Sequence, residues 1–175
     1  MKTLVIHPED ETTVMLELVY NKHPEWTVCR DKGISKDKLR ELIMAHERII
    51  MLGHGTPFGL INSKRNGYLI DDSFADILRE KETISVWCYS DEYFRRNRIK
   101  GFHTGMIISE VNEEYYVLGS APLNEKQIFD NMLYFSEVIA NCIDKSPIEM
   151  KEYVLQNYCF DDPVSKFNRN NITVV

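Results

Sequence analysis

The sequence predicts an α/β fold: a three-layer sandwich built on a mostly parallel sheet. Two observations carry that expectation. Runs such as "RIIMLG" (48–53) and "TISVWC" (83–88) are apolar at nearly every position, which suits strands covered on both faces rather than on one. Between such runs lie stretches with helical spacing and helix-start residues, and an alternating strand–helix order implies right-handed crossovers and a parallel sheet. With 175 residues, 43% of them hydrophobic, one domain over residues 1–175 is expected to bury a real core.

The elements follow in order. "TLVIH" (3–7) reads as a buried strand. "PEDETT" supplies helix-start chemistry: Pro8 fits the first turn, acids favour the positive helix end, and Thr12 or Thr13 can cap. Val14, Leu16, Leu18 and Val19 then recur at helical spacing, and "WTVCR" (26–30) is a second strand. Residues 35–47 form a helix with Ser35 as N-cap and Leu39, Leu42 and Ile43 on one face. After the strand at 48–53 comes a hairpin over 59–70 with its turn near Asn66-Gly67. Asp71 and Asp72 cap a helix at 73–81, and the strand at 83–88 leads into a helix at 91–99. Further strands are expected at 104–111 and 114–119, and two helices between about 124 and 158. The tail "DDPVSKFNRNNITVV" (161–175) reads as mostly irregular, with "ITVV" an edge strand or a docked end.

Composition narrows the function classes. A net charge of −6 argues against non-specific nucleic-acid binding, which depends on neutralising phosphates. The cluster "RRNRIK" (95–100) reads as a solvated helix and loop, with a local RNA or phosphate contact as the alternative. The short apolar run after Lys2 is followed by Glu9, Asp10 and Glu11, so neither a signal peptide nor a membrane span is expected. Cys29, Cys88, Cys142 and Cys159 show no CxxC pairing; free thiols in a cytoplasmic protein and no metal site are the expectation.

Two residues stand out against this frame. His54 follows one core strand and Cys88 ends the next. Ligands of open α/β sheets gather outside the carboxyl ends of the strands. Were the two strands neighbours, an imidazole and a thiol would share one rim, the arrangement that activates a cysteine nucleophile. The helix after Cys88 would turn its amides towards the sulfur, and the Gly55 and Cys88 N–H groups would hold an oxyanion. Taken singly, a strand-end cysteine or a His-Gly turn is also ordinary packing.

"IIMLGHG" followed by "TISVWC" resembles the paired signature of the caspase-like cysteine peptidases, in which one strand ends in His-Gly and the next in the nucleophilic cysteine. The likeness covers roughly residues 1–120. Trp87 departs from the pattern, standing where a small residue usually precedes the nucleophile. The chain also resembles a group of short bacterial proteins carrying "HPxDxTT", "GHGxPxGL", "WC" and "GxxTGMxISE" patterns, matched here at His7 to Thr13, Gly53 to Leu60, Trp87-Cys88 and Gly101 to Glu110. The resemblance implies Cys88 as nucleophile, His54 as general acid/base and Gly55 as an oxyanion donor, with no cofactor.

Four further residues are candidates for binding a peptide or small-molecule substrate. His7 ends the first strand with Asp10 nearby, and Ser109 and Glu110 sit where a polar or basic group would be read. Each has an ordinary alternative: a turn with a helix-favouring acid for the first pair, a buried paired glutamate for Glu110. His103 reads as a loop histidine, and Trp87 and Tyr89 as packing on the face opposite Cys88. The competing function is non-enzymatic: a caspase-like or flavodoxin-like domain binding a ligand or protein partner at the same rim. A flavin is disfavoured because "HPEDETT" lacks a glycine-rich phosphate cradle. Met132, Phe135, Val138 and Ile139 form an apolar helical face for packing or for a partner.

Overall fold

The chain begins with β1 (Thr3–Ile6), a 3-10 helix (Glu11–Val19), β2 (Thr27–Cys29), α1 (Lys36–Met44) and β3 (Arg48–Leu52). A small antiparallel sheet follows, from β4 (Gly55–Thr56), β5 (Gly59–Ser63) and β6 (Gly67–Ile70). Next come a 3-10 turn (Asp72–Phe74), α2 (Ala75–Leu78), β7 (Glu82–Val86), α3 (Ser90–Asn97) and β8 (Gly101–Thr104). The chain closes with α4 (Val111–Leu118), α5 (Glu125–Ala140), α6 (Pro147–Asn157), α7 (Pro163–Asn170) and β9 (Ile172–Val174). The computed structural model describes residues 1–63 and 67–175; Asn66, and with it the turn expected at Asn66-Gly67, lies outside them.

The main sheet has the order β2-β1-β3-β7-β8-β9, parallel throughout except for β9, which runs antiparallel to β8. Alternation along each strand divides the core into two layers. Val5, Ile50, Leu52, Ile84 and Val86 face the first 3-10 helix, α5 and α6. Leu4, Ile6, Ile49, Met51 and Trp87 face α1, α2, α3 and the small sheet. The molecule is therefore the mixed α/β sandwich that the strand patterns predict. Because β2 and β3 lie on opposite sides of β1, the chain reverses direction across the sheet there, and a crevice opens at the carboxyl ends.

Several elements differ from expectation. Residues 14–19 do form a helix, but in the tighter 3-10 form, started by Asp10, whose carboxylate accepts from the Thr12 amide at 2.9 Å. The strand expected over 104–111 ends at Thr104 and gives way to an irregular segment, 105–110. The strand expected at 114–119 is the helix α4: the Glu113 carboxylate takes the Ser109 and Glu110 N–H groups at 2.8 and 3.2 Å, closing the first turn, and Gly119 at φ +71° ends the last. Tyr and Val favour strands, but Tyr115 and Tyr116 are both exposed, and their local preference yields to this capping. The tail holds α7, capped by Asp162 onto the Ser165 amide with Pro163 in its first turn. His103 is a fully buried residue of β8 rather than a loop histidine.

Candidate functional site

β3 and β7 are adjacent and parallel, with Leu52 opposite Val86 and the Gly53 N–H donating to the Val86 carbonyl at 3.1 Å. The two chains leave the sheet side by side, one towards His54 and the other towards Cys88. Gly53, at φ +138°, turns the first chain out of the sheet in a conformation that side chains resist. The hairpin β4–β5 then holds His54, whose carbonyl accepts from the Ile61 N–H at 2.8 Å. With Gly55 paired to Leu60 and that bond one residue outside the pair, Gly55 occupies a non-hydrogen-bonded position, and its N–H faces away from β5.

Gly55 has a second role. A methyl group built on it would lie 2.0 Å from the Trp87 ring, so the glycine is the surface against which Trp87 packs. Trp87 is buried in the layer beneath α3, with Tyr93 and Phe94 around it. It does not crowd the sulfur, because Cys88 packs against the opposite layer.

The His54 ring is oriented by a residue that sequence reasoning treated only as a helix cap. Its Nε2 lies 2.6 Å from Thr12 Oγ1, and that hydroxyl lies 2.6 Å from Asp10 Oδ1. Burial works to raise the Asp10 carboxyl, but the Thr12 hydroxyl and amide, His54 and Lys32 outweigh it and hold the group below its ordinary value. An ionised carboxylate only accepts, so the single Thr12 proton goes to Asp10 and the hydroxyl oxygen accepts from His54 Nε2–H. In neutral His54 the unprotonated nitrogen is then Nδ1.

Cys88 is partly buried, and its S–H donates to the Ile107 carbonyl at 3.5 Å. Burial, reinforced by the negative charges of Glu113 and Glu110, pushes the thiol up to about 11. That reverses the expected depression of its pKa: the segment 105–110 folds over the sulfur, and desolvation disfavours a thiolate more than the nearby helix end favours it. The turn after Cys88 is tight, with Tyr89 in the left-handed region at φ 66° and its N–H bonded to the Gly105 carbonyl at 3.1 Å.

Cys88 and His54 line one cleft of about 350 Å³. Asp10, Gly55, Glu110 and Glu113 share that lining, with Tyr89 and Tyr116 also on it. A separate cavity of about 30 Å³ is lined by the same two residues together with Thr12 and Ser109. Ser109 is tied down, its hydroxyl donating to Glu113 at 2.9 Å. His7 is 1% exposed and outside the lining; its ring nitrogens face the Tyr20 hydroxyl at 3.0 Å and the Thr13 hydroxyl at 3.2 Å. Burial, with the charge of Arg30, lowers its pKa to about 4, so it supports the cleft floor as a neutral ring. His103 is likewise outside the lining, bonded to Ser85 at 3.0 Å and stacked on Phe94. Thr12 is the residue the sequence reading missed; the "DET" spacing that puts Asp10 and Thr12 in one cap is the signal that pointed to it. No protein-family model matches the chain, and no curated protein matches it significantly.

Proposed function

We propose that the chain is a cysteine-dependent hydrolase of amide or related acyl bonds, with Cys88 as nucleophile and His54 as general acid/base. The observation that carries this reading is the shared cleft, which Cys88 and His54 both line, with the Thr12 hydroxyl on His54 Nε2 leaving Nδ1 as the nitrogen to act as base. The Cys88 proton passes to His54 Nδ1 as sulfur bonds to the acyl carbon, and the carbonyl electrons move onto oxygen. The Gly55 and Cys88 N–H groups are the candidate donors to that oxyanion. Collapse of the intermediate breaks the carbon–nitrogen bond, and His54 returns the proton to the leaving amine. A water, deprotonated by His54, then cleaves the thioester and restores the thiol.

With burial pushing the thiol up to about 11, Cys88 rests as the protonated thiol at neutral pH. The resting site is accordingly latent, and substrate must displace the Ile107 carbonyl from the sulfur before attack. The same observation favours a second reading, in which the cleft binds a ligand or partner without turnover.

A panel of peptidyl chloromethyl ketones separates the two, with the exposed Cys159 as internal reference. The hydrolase reading expects at least one member to alkylate Cys88 ahead of Cys159, and His54→Ala to slow that reaction at least about tenfold. Plain iodoacetamide, which brings no binding energy, is expected to prefer Cys159. Faster alkylation of Cys159 by every member, or an unchanged rate in His54→Ala, overturns the reading.

A further inference from the structure

We propose, resting on the hydrolase reading of the cleft, that its substrate is a small amino-acid amide with a free, protonated amine next to the carbonyl, and that Glu113 holds that amine. The bond broken joins the acyl carbon to the leaving nitrogen. Sulfur takes the acyl group, His54 gives its proton to the departing amine, and water releases the amino acid from the thioester. A residue acylated on its nitrogen, as inside a chain, lacks the cation and is excluded.

Glu113 is built as an anchor. Its Oε2 accepts the Ser109 N–H at 2.8 Å, the Ser109 hydroxyl at 2.9 Å and the Glu110 N–H at 3.2 Å. Three donors on one oxygen fix the direction of the carboxylate and, among the described residues, leave Oε1 for a ligand. Glu113 lines the same cleft as Cys88 and His54. The segment it ties down is also the one that reaches the sulfur, since the Ile107 carbonyl accepts from Cys88. Of the charged groups acting on the thiol, Glu113 acts most strongly, and Glu110 adds to it.

That placement selects among cations. The α-amine of an amino-acid amide is one carbon from the carbon under attack, so its partner must stand beside the nucleophile. The head of a long basic side chain is several bonds further off. Glu110 brings a second carboxylate to the lining, and among the described residues neither glutamate belongs to an ion pair. Asp10 is already engaged by Thr12. An ammonium at Glu113 gains charge-assisted hydrogen bonds. It also offsets the negative charge that helps to keep Cys88 protonated, so the substrate's own cation favours the thiolate. Size agrees: a cleft of about 350 Å³ lies near the lower end of small-ligand sites, which run from about 300 to 1,000 Å³.

The test is a protection experiment on the full chain. Cys88 is alkylated with the chloromethyl ketone that labels it fastest, in the presence of alaninamide, of lactamide (a hydroxyl in place of the ammonium) or of N-acetylalaninamide. Alaninamide is expected to slow the labelling at least about fivefold at a concentration where the other two slow it less than about twofold. Glu113→Gln, which keeps an oxygen for the first turn of α4, is expected to remove that difference. Should this variant fail to fold, the comparison of alaninamide with lactamide in the unaltered chain carries the test. Equal protection by those two compounds, or undiminished protection in folded Glu113→Gln, overturns the proposal.

Failure of every chloromethyl ketone to label Cys88 ahead of Cys159 removes the hydrolase reading instead. The anchor is then read in Cys88→Ala, by backbone amide chemical shifts during titration. Binding of alaninamide in preference to lactamide keeps it, and equal or absent binding overturns it. Cys88-dependent hydrolysis of N-acetylalanine p-nitroanilide, with none of alanine p-nitroanilide, keeps the hydrolase reading and overturns the proposal.

Discussion

His54 gains its direction from two residues on another element. The Thr12 hydroxyl stands between the Nε2 of His54 and the carboxylate of Asp10, at 2.6 Å from each. A ring held in that way has one nitrogen committed as donor and the other left as base, which is what proton transfer from a thiol requires. Thr12 is a positioning residue in this arrangement, since it acts through His54. Replacing it with valine keeps the volume and removes the oxygen, and the His54-dependent alkylation of Cys88 is expected to fall about tenfold or more. Thr12→Ser, which keeps the hydroxyl and loses only the methyl, is expected to retain most of the rate; a merely structural role for the methyl group would instead impair serine and spare valine. Mass-spectrometric labelling rates for the two variants decide the matter.

At the scale of elements, the segment 105–110 is the piece that covers the sulfur, and the C-terminal helix holds it. Asn168 of α7 accepts the Ile108 N–H at 2.7 Å and donates to the Ile108 carbonyl at 3.0 Å, satisfying a buried peptide unit from both sides. Gly105 is fixed in turn by the Asn171 carbonyl at 2.7 Å. The neighbouring Ile107 carbonyl is the group bonded to Cys88. Asn168→Ala leaves both Ile108 groups without partners, at a cost of about 2 kcal/mol or more. It is also expected to loosen the cover, so that iodoacetamide reaches Cys88 several-fold faster. Chemical denaturation and peptide mapping read the two effects separately, and a destabilised variant with unchanged Cys88 reactivity breaks the link between α7 and the site. Helix α7 was legible in principle, because "DDPVSK" carries a capping acid followed by proline. The tie from Asn168 to Ile108 was not, since sixty residues separate the partners.

For the whole molecule, the two most deeply buried imidazoles set a pH dependence. Burial, with Arg30's charge as a lesser cause for His7, lowers His7 to about 4 and His103 to about 3 from an ordinary 6.5. Between 6.5 and the folded values, the unfolded chain binds protons that the folded chain refuses. Stability is then fully present above about pH 6.5 and falls as pH drops towards 4, by up to about 1.4 kcal/mol per unit for each ring. Carboxylates held low, such as Asp10 and Asp71, act only in a window below that, near and under their ordinary 3.8. Urea melts between about pH 7 and 4.5 therefore read the histidines; a flat profile there means that both rings are charged or solvated in the folded state. No helix among the described residues is long and apolar enough to cross a membrane.

The sequence by itself determined the layered architecture, because strands covered on both faces must be apolar throughout and helices on a sheet must repeat at their own period. It also determined that His54 and Cys88 each follow a core strand, a fact of local order along the chain. Only the tertiary structure decided that β3 and β7 are neighbours, that Thr12 rather than a cap alone meets the imidazole, and that Ile107 closes over the thiol. Those contacts join residues tens of positions apart, and no local periodicity encodes them; they exist because the sheet brings distant strand ends to one rim and desolvates what lies beneath the covering loop.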